Sequence, residues 1–425
     1  MKKILALLLS VIMVLSFAAC SSSDDSNTPE TPTNGGSTNN GEVTPVTLKV
    51  WTPTEDQLEG GWLLEMQKKF EAAHPEYKMT WVNEPCSEGD AGGNVTGDPT
   101  AAGDVYMFAN DQLGALIQAN AITQLGGAFL EQVKNDNSQT LINTVTHTDG
   151  NIYGFPMTNN TWFLYYNKDV FTEEDVKSLN TMLDKGVVAF PMTTGWYTGA
   201  FFFANGGKLF GDQGIDAAAG IQFGKDNGGY EAALAMTEIA AHPNFRNDES
   251  GLGNSGLKNG DVDAYFSGSW DFGGETGLQA ALGDKLGAVQ VPTVAIGGEQ
   301  KQLMSFAGSK AVGVNPNCAN PKVATEFAAF LASVEGQKLR YEMRGVIPAA
   351  KTLAEDETIK NNIVAVAEIN TMTNCSVVQP AIPEMSQYWT PVGNFGTLVM
   401  NKEVTADNYK DQVDLLMEGL NNTGL

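Results

Sequence analysis

The chain has 425 residues, 42% of them hydrophobic, with 50 acidic side chains against 25 basic ones and a net charge of -25. That length allows about two domains with substantial cores. The charge excludes nucleic acid and electrostatic attachment to anionic lipid, since both need a basic surface, and the four cysteines and three histidines are too scattered for a zinc motif, a CxxC pair or a His-based triad.

Lys2 and Lys3 precede a mostly apolar run, Ile4 to Phe17. It is too short to span a bilayer, which takes roughly 20 residues. Ala18, Ala19 and Cys20 follow, a pattern that resembles a bacterial lipobox, with residues 1–19 as signal peptide and Cys20 as the lipidated residue. Residues 20–44 are mainly Ser, Asp, Asn, Thr, Pro and Gly. Such a segment buries too little apolar surface to offset the entropy of ordering it, so it reads as a flexible tether. Among Cys86, Cys318 and Cys375 one pair could bridge, which leaves a free thiol. No later stretch is long and apolar enough to cross a membrane.

TLKVW alternates as a strand and runs into the loop TPTEDQLEGG. WLLEMQKKFEAAHPEY carries Leu63, Leu64, Met66 and Phe70 at helical spacing and closes at His74-Pro75. KMTWVN is a second strand, SEGDAGGNVTGDPTAAG a loop, DVYMFAND a buried strand, and QLGALIQANA a helix. This rhythm is that of an α/β domain with a mainly parallel sheet, whose ligands sit beyond the carboxyl ends of the strands. The loops after Trp51 and Phe108 stand at that end. Pro156 and the polar TNN then interrupt the chain before an aromatic strand, which fits a crossing between domains. ALAMTEIAAHPNF is a helix, GLKNGDVDAYFSGSWDF a helix end, turn and strand, and KLGAVQVPTV a strand. QLMSFAGSKAVGVNP is β, PKVATEFAAFLASVEGQKLRYEMRG one long amphipathic helix, and the last third is helical apart from the loop QPAIPEMSQYW.

GLGNSG matches a dinucleotide-binding glycine pattern in letters, but it follows the polar FRNDES rather than a strand. GGNVTGDP lacks the lysine of a P-loop, and with 50 acidic residues a hydrolytic carboxylate pair is neither found nor excluded. The better signal is aromatic residues at turns: Trp51, Phe108, Trp162, Trp196, Tyr197, Trp270, Tyr388 and Trp389, several with Gly, Ser, Thr or Asn neighbours. Flat rings pack on the CH face of a pyranose while Asp and Asn take its hydroxyls, so these residues point to a concave site for a neutral polar ligand.

From about Leu48 onward the chain resembles the family 1 extracellular solute-binding proteins of ABC importers, and among them the maltose- and maltodextrin-binding group. The segments that carry the likeness are LKVWTPTEDQ, AGDVYMFANDQLGALIQAN, YGFPMTNNTWFLYYNKD, AFPMTTGWYTGAFFFANGGKLF, LKNGDVDAYFSGSWDF and QPAIPEMSQYWTPV. The resemblance implies an α/β, two-lobe, type II periplasmic-binding-protein-like fold. Each lobe is then a mainly parallel sheet flanked by helices, with the ligand cleft between lobes. It divides the body into lobe 1 over 45–157 and 301–352 and lobe 2 over 158–300 and 353–425. It implies stacking aromatics at Trp196, Trp270 and Trp389, with Phe108 in place of a tryptophan, a hydroxyl-binding carboxylate at Asp111, and polar contacts at Glu55 and Asp56. Trp51, Asn160, Tyr197 and Tyr388 complete the expected site. An Arg expected beside Asp111 is Gln112, a Glu expected in the hinge is Asn160, and SGSWDF lacks a Pro before its Trp. The implied function is an extracytoplasmic receptor, monomeric and held to the membrane by lipid alone. It delivers maltose or malto-oligosaccharides to permease subunits, without catalysis, cofactor or metal. A secreted glycoside hydrolase and a passive surface adhesin are the alternatives.

Overall fold

The computed structural model describes residues 43–421, apart from 213 and 274–276. Cys20 and the tether up to residue 42 lie outside the described residues. The first strand, Thr44–Thr52, turns Val46, Leu48 and Val50 into the core at every second position, as the pleat dictates. The helix Trp62–Ala73 covers it with Trp62, Leu63, Met66 and Phe70. The following strand, Tyr77–Pro85, runs parallel to the first, and Val105–Ala109 joins its other edge, also parallel.

The sheet then continues through a strand from far along the chain. Ser305–Val314 pairs antiparallel with Val105–Ala109 and with Phe155–Asn160, and parallel with Ser376–Val378. Three of its pairings are thus parallel and two antiparallel. Pro156 lies inside the strand Phe155–Asn160 opposite Ala311, where the register shifts. The strand has a single strand partner among the described residues, beside an isolated bridge from Thr158 to Pro348, so Pro156 stands on an edge that tolerates a missing N–H.

Between Asn160 and Phe163 the chain passes into a second sheet. Its order is Leu286–Val289, Phe163–Asn167, Ala264–Ser267, Val188–Phe190, Phe245–Asn247. Two of its pairings are antiparallel and two parallel, so this sheet is mixed. Each sheet has its own core. Trp62, Phe70, Tyr106 and Phe327 belong to the first, and Phe190, Phe201, Phe202 and Tyr388 to the second. The helices Ser386–Met400 and Tyr409–Asn421 pack on the second core, whereas Ser376–Val378 pairs with the first sheet. A three-residue strand carries no sheet preference of its own, and its partner decides.

Three local readings change. The glycine-rich stretch contains a helix, Ala91–Gly97. It is held from outside, because the Gly92 amide donates to Gln112 Oε1 at 2.6 Å and a Cβ at Gly92 would stand 2.6 Å from that oxygen. The long helix is two, Pro321–Leu331 and Val334–Arg344. Ser333 separates them by capping the second, its hydroxyl accepting from the Gly336 amide at 3.1 Å. Tyr388 and Trp389 sit on a helix, not in a loop. Cys86, Cys318 and Cys375 are all free thiols.

Candidate functional site

A pocket of about 500 Å³ opens where the two sheets adjoin, lined by Ala109, Asp111, Asn160, Trp196, Trp270, Lys310, Gln379 and Trp389. Six different segments of sequence meet there. Ala109 ends the strand Val105–Ala109 and Asp111 follows it, so the carboxyl end of that strand carries the site as expected for such a sheet. Asn160 ends the crossing strand and Lys310 sits mid-strand in Ser305–Val314.

The aromatic wall is built by helix packing. Trp196 lies in the first turn of the helix Gly195–Ala204, and Trp389 in the first turn of Ser386–Met400. The two helices approach so closely that glycine is required at the contacts. A Cβ at Gly195 would stand 2.6 Å from the Trp389 carbonyl oxygen, one at Gly199 1.9 Å from the Tyr388 hydroxyl, and one at Gly396 1.8 Å from the Met192 carbonyl oxygen. Trp270 comes from a separate turn. Its ring lies 6.0 Å from that of Trp196, tilted by 32°, and it is 52% exposed, a large apolar face open to the pocket. Asp271 pins this turn by accepting from Tyr265 Oη at 2.7 Å and Ser267 Oγ at 2.6 Å.

The polar side is equally placed. Trp196 Nε1 donates to Gln379 Oε1 at 3.1 Å, and Asn110 Nδ2 donates to the Gln379 carbonyl at 3.2 Å. Burial pushes the Asp111 carboxyl above its ordinary range, with only its own backbone amide pulling it back. It is an acceptor with no side-chain donor among the described residues. Lys310 Nζ lies 3.9 Å from Glu88 Oε2. Burial pushes Glu88 up, but the charges of Lys310 and Arg340 outweigh it and hold it below its usual value.

Of the expected site residues, Asp111, Asn160, Trp196, Trp270 and Trp389 line this pocket. The others sit elsewhere. Phe108 is fully buried, because its strand is covered on both faces and its ring packs against Gly154. Tyr388 is also fully buried, and its hydroxyl donates to the Gly195 carbonyl at 2.8 Å. Tyr197 stacks on the buried Trp162 with centroids 5.0 Å apart. Trp51 donates to Glu84 Oε2 at 2.7 Å and packs on the first core. Asp56 is fully buried and occupied by Arg340 at 2.7 Å and 3.1 Å and by Arg344 at 2.7 Å. Glu55 is exposed, 3.8 Å from Arg344. These positions thus support the pocket from behind or lie outside it. Lys310 and Gln379 were missed. A lone cation inside the apolar strand SFAGSKAVGV was the readable signal for Lys310. Gln379 had none, since its place depends on which sheet Ser376–Val378 joins.

Residues 65–366 match the model of the bacterial extracellular solute-binding protein family. The galactooligosaccharide-binding protein of Bacillus subtilis (strain 168) is 26% identical over 410 residues, covering 92% of this chain and 90% of that one. The maltooligosaccharide ABC transporter solute-binding lipoprotein of Streptococcus pneumoniae (strain ATCC BAA-255 / R6) is 28% identical over 342 residues, 74% of this chain and 76% of that one. A solved structure determined with acarbose superposes with a TM-score of 0.83 at 44% identity, covering 89% of this chain and 99% of that one. With two lobes, a pocket where they meet and a family model matched over most of its length, this chain belongs to the bacterial extracellular solute-binding proteins.

Proposed function

We propose that the pocket captures malto-oligosaccharides outside the cytoplasmic membrane and that the closed protein presents them to an ABC importer permease. The observation that carries this is the convergence of Trp196, Trp270 and Trp389 from three distant segments on one pocket, beside the acceptor Asp111, which has no side-chain donor among the described residues, and the donors of Asn160 and Lys310. Rings stack on the apolar faces of glucose units, and the polar groups take their hydroxyls. A comparable depression lined by Tyr166, Val176, Val291 and Pro292 has no such aromatic wall. The relatives named for maltooligosaccharides and the structure determined with acarbose favour α-glucans. No bond is made or broken. Contacts completed only when the lobes close shift the population to the closed form, the one a permease recognises.

A second reading, galactooligosaccharides, rests on the relative named for them. Titration calorimetry with maltotriose and with β-linked galactotriose separates the two. Maltotriose binding with the glycan recovered intact after incubation is expected. Heat from the galactan alone would replace the ligand, and cleavage products would point to a hydrolase. The anchor belongs to the same proposal: Cys20 carries the lipid, and Cys20→Ala should leave the protein unprocessed or release it to the medium. A processed variant still on the membrane would exclude this anchor.

A further inference from the structure

Lys310 is the cation among the residues that line the pocket, and its place in the fold is set from both sides. It pairs with Ala109 across one ladder and with Thr158 across the other. Residues opposite one another on neighbouring strands, or two apart along one strand, share a face of the sheet. Asn160 stands opposite Gly308, two positions before Lys310, so Ala109, Lys310 and Asn160 project from one face, and all three line the pocket. The register shift falls beyond Lys310, toward Ala311, and leaves this part of the ladder regular. A lysine at such a position is costly to hold still, because its long flexible stem loses rotamer freedom when the ammonium is fixed.

The ammonium spends no donor on the protein. Among the described residues Lys310 Nζ makes no hydrogen bond, and Glu88 is the one carboxylate within ion-pair distance, its Oε2 at 3.9 Å. That separation is too long for a hydrogen bond. The attraction still acts, because the Glu88 side chain is 9% exposed and a buried charge is little screened. Glu88 is itself fastened. Arg340 Nη2 donates to its Oε1 at 3.2 Å, and Arg340 is locked in turn by two bonds to Asp56. The Glu88 carbonyl accepts from the Ala109 amide at 3.0 Å and from Gln112 Nε2 at 3.1 Å. The acid is thus tied to the same strand end that pairs with Lys310.

We propose that Glu88 is a positioning residue for ligand recognition: with Oε1 held by Arg340, its Oε2 draws the Lys310 ammonium to the pocket and leaves the N–H donors open for the hydroxyls of a neutral oligosaccharide. The role deepens the oligosaccharide reading and rests on it for the ligand. A direct hydrogen bond to Glu88 would occupy one of the donors, all of which an unbonded ammonium keeps. With no carboxylate nearby, the stem would sweep through solvent. The longer pair orients the ammonium before the ligand arrives, so less ordering entropy is lost on binding. Lys310 then donates to sugar hydroxyls while Asp111 accepts from them.

The test starts from the free protein, with carbon-13 placed at the Cε of its lysines. The signal that disappears in Lys310→Met is that of Lys310. In the wild type its paired Hε protons should give separate resonances, as a held stem does, and in Glu88→Gln they should merge. Circular dichroism and thermal melts check that each variant folds. Calorimetry with maltotriose then closes a double-mutant cycle. Lys310→Met should weaken binding about tenfold, the scale of a hydrogen bond from a charged group. Glu88→Gln should weaken it about three- to tenfold while Lys310 is present, and scarcely further in Lys310→Met. An acid that only braced its loop would cost the same in both backgrounds. That result, or a Lys310 signal indifferent to Glu88→Gln, overturns the proposal. Should Glu88→Gln not fold, Glu88→Asp keeps an anion for Arg340 on a shorter stem that draws back from Lys310, and the same two readings decide. The expected spectra without maltotriose binding by the wild type would remove the ligand and support the positioning role.

Discussion

At the scale of single residues, exposure separates the aromatics that can stack on a ligand from those that hold the fold. Trp196 and Trp389 are half-buried and Trp270 is open, whereas Phe108 and Tyr388 are enclosed. Alanine at Trp196, Trp270 or Trp389 should therefore weaken maltotriose binding by about 1–3 kcal/mol, the scale of one large apolar contact. The melting temperature should be nearly kept, and Asp111→Ala should behave alike. Calorimetry paired with thermal melts checks this: stability lost with affinity intact would place these rings in the core. Glu368 makes a separate prediction. Its carboxyl is raised from an ordinary 4.5 to about 7, so between those values the folded chain holds a proton that the unfolded chain has released. The stability it contributes is fully present below 4.5 and is lost as pH rises through about 7. The shift corresponds to about 3 kcal/mol. Glu368→Gln should melt above the wild type at about pH 8 and level with it at about pH 4.

At the scale of elements, the site depends on two helices that could not approach if glycine were replaced. The contacts at Gly195, Gly199 and Gly396 set the distance between Gly195–Ala204 and Ser386–Met400, and so between Trp196 and Trp389. Gly199→Ala places a methyl 1.9 Å from the Tyr388 hydroxyl and must displace that ring or push the helices apart. A cost of about 1–3 kcal/mol is expected for such overpacking, together with weaker maltotriose binding. Gly419→Ala is the control. It is on an exposed helical face with nothing near its Cβ, and should be neutral or stabilising by about 0.5–1 kcal/mol. Melts and titrations that failed to separate the two variants would show that helix spacing does not set the site. A second element-level device lies behind the pocket. Arg340 is 2% exposed and holds Asp56 and Glu88 together over the ring of Trp62. The loop after the first strand is thus fastened by buried ion pairs, the arrangement whose loss is costly because it strands the remaining charge.

At the scale of the whole molecule, the pocket draws one wall from each sheet, so a ligand held there would touch both sides of the chain crossing near Asn160. Closure should shrink the radius of gyration in X-ray scattering when maltotriose saturates the protein. An unchanged radius with proven binding would remove closure and keep the site. The sequence by itself determined the alternation of strands and helices, because burial at periods of two and 3.6 is written locally in runs such as TLKVW and WLLEMQKKF. It determined Trp196, Trp270, Trp389 and Asp111 as site candidates through a family likeness carried by short motifs. It could not determine which aromatics face a ligand. Phe108 and Asp111 lie three positions apart, yet one is core and the other pocket, since Phe108 sits on a strand covered on both faces and Asp111 just past its end. Nor could it place Gln379, whose position follows from the pairing of Ser376–Val378 with Ser305–Val314, or reveal that Asp56 is taken by Arg340 from 284 residues away. Side-chain direction and long-range pairing are settled only when the elements pack, because they depend on neighbours that are distant in the chain.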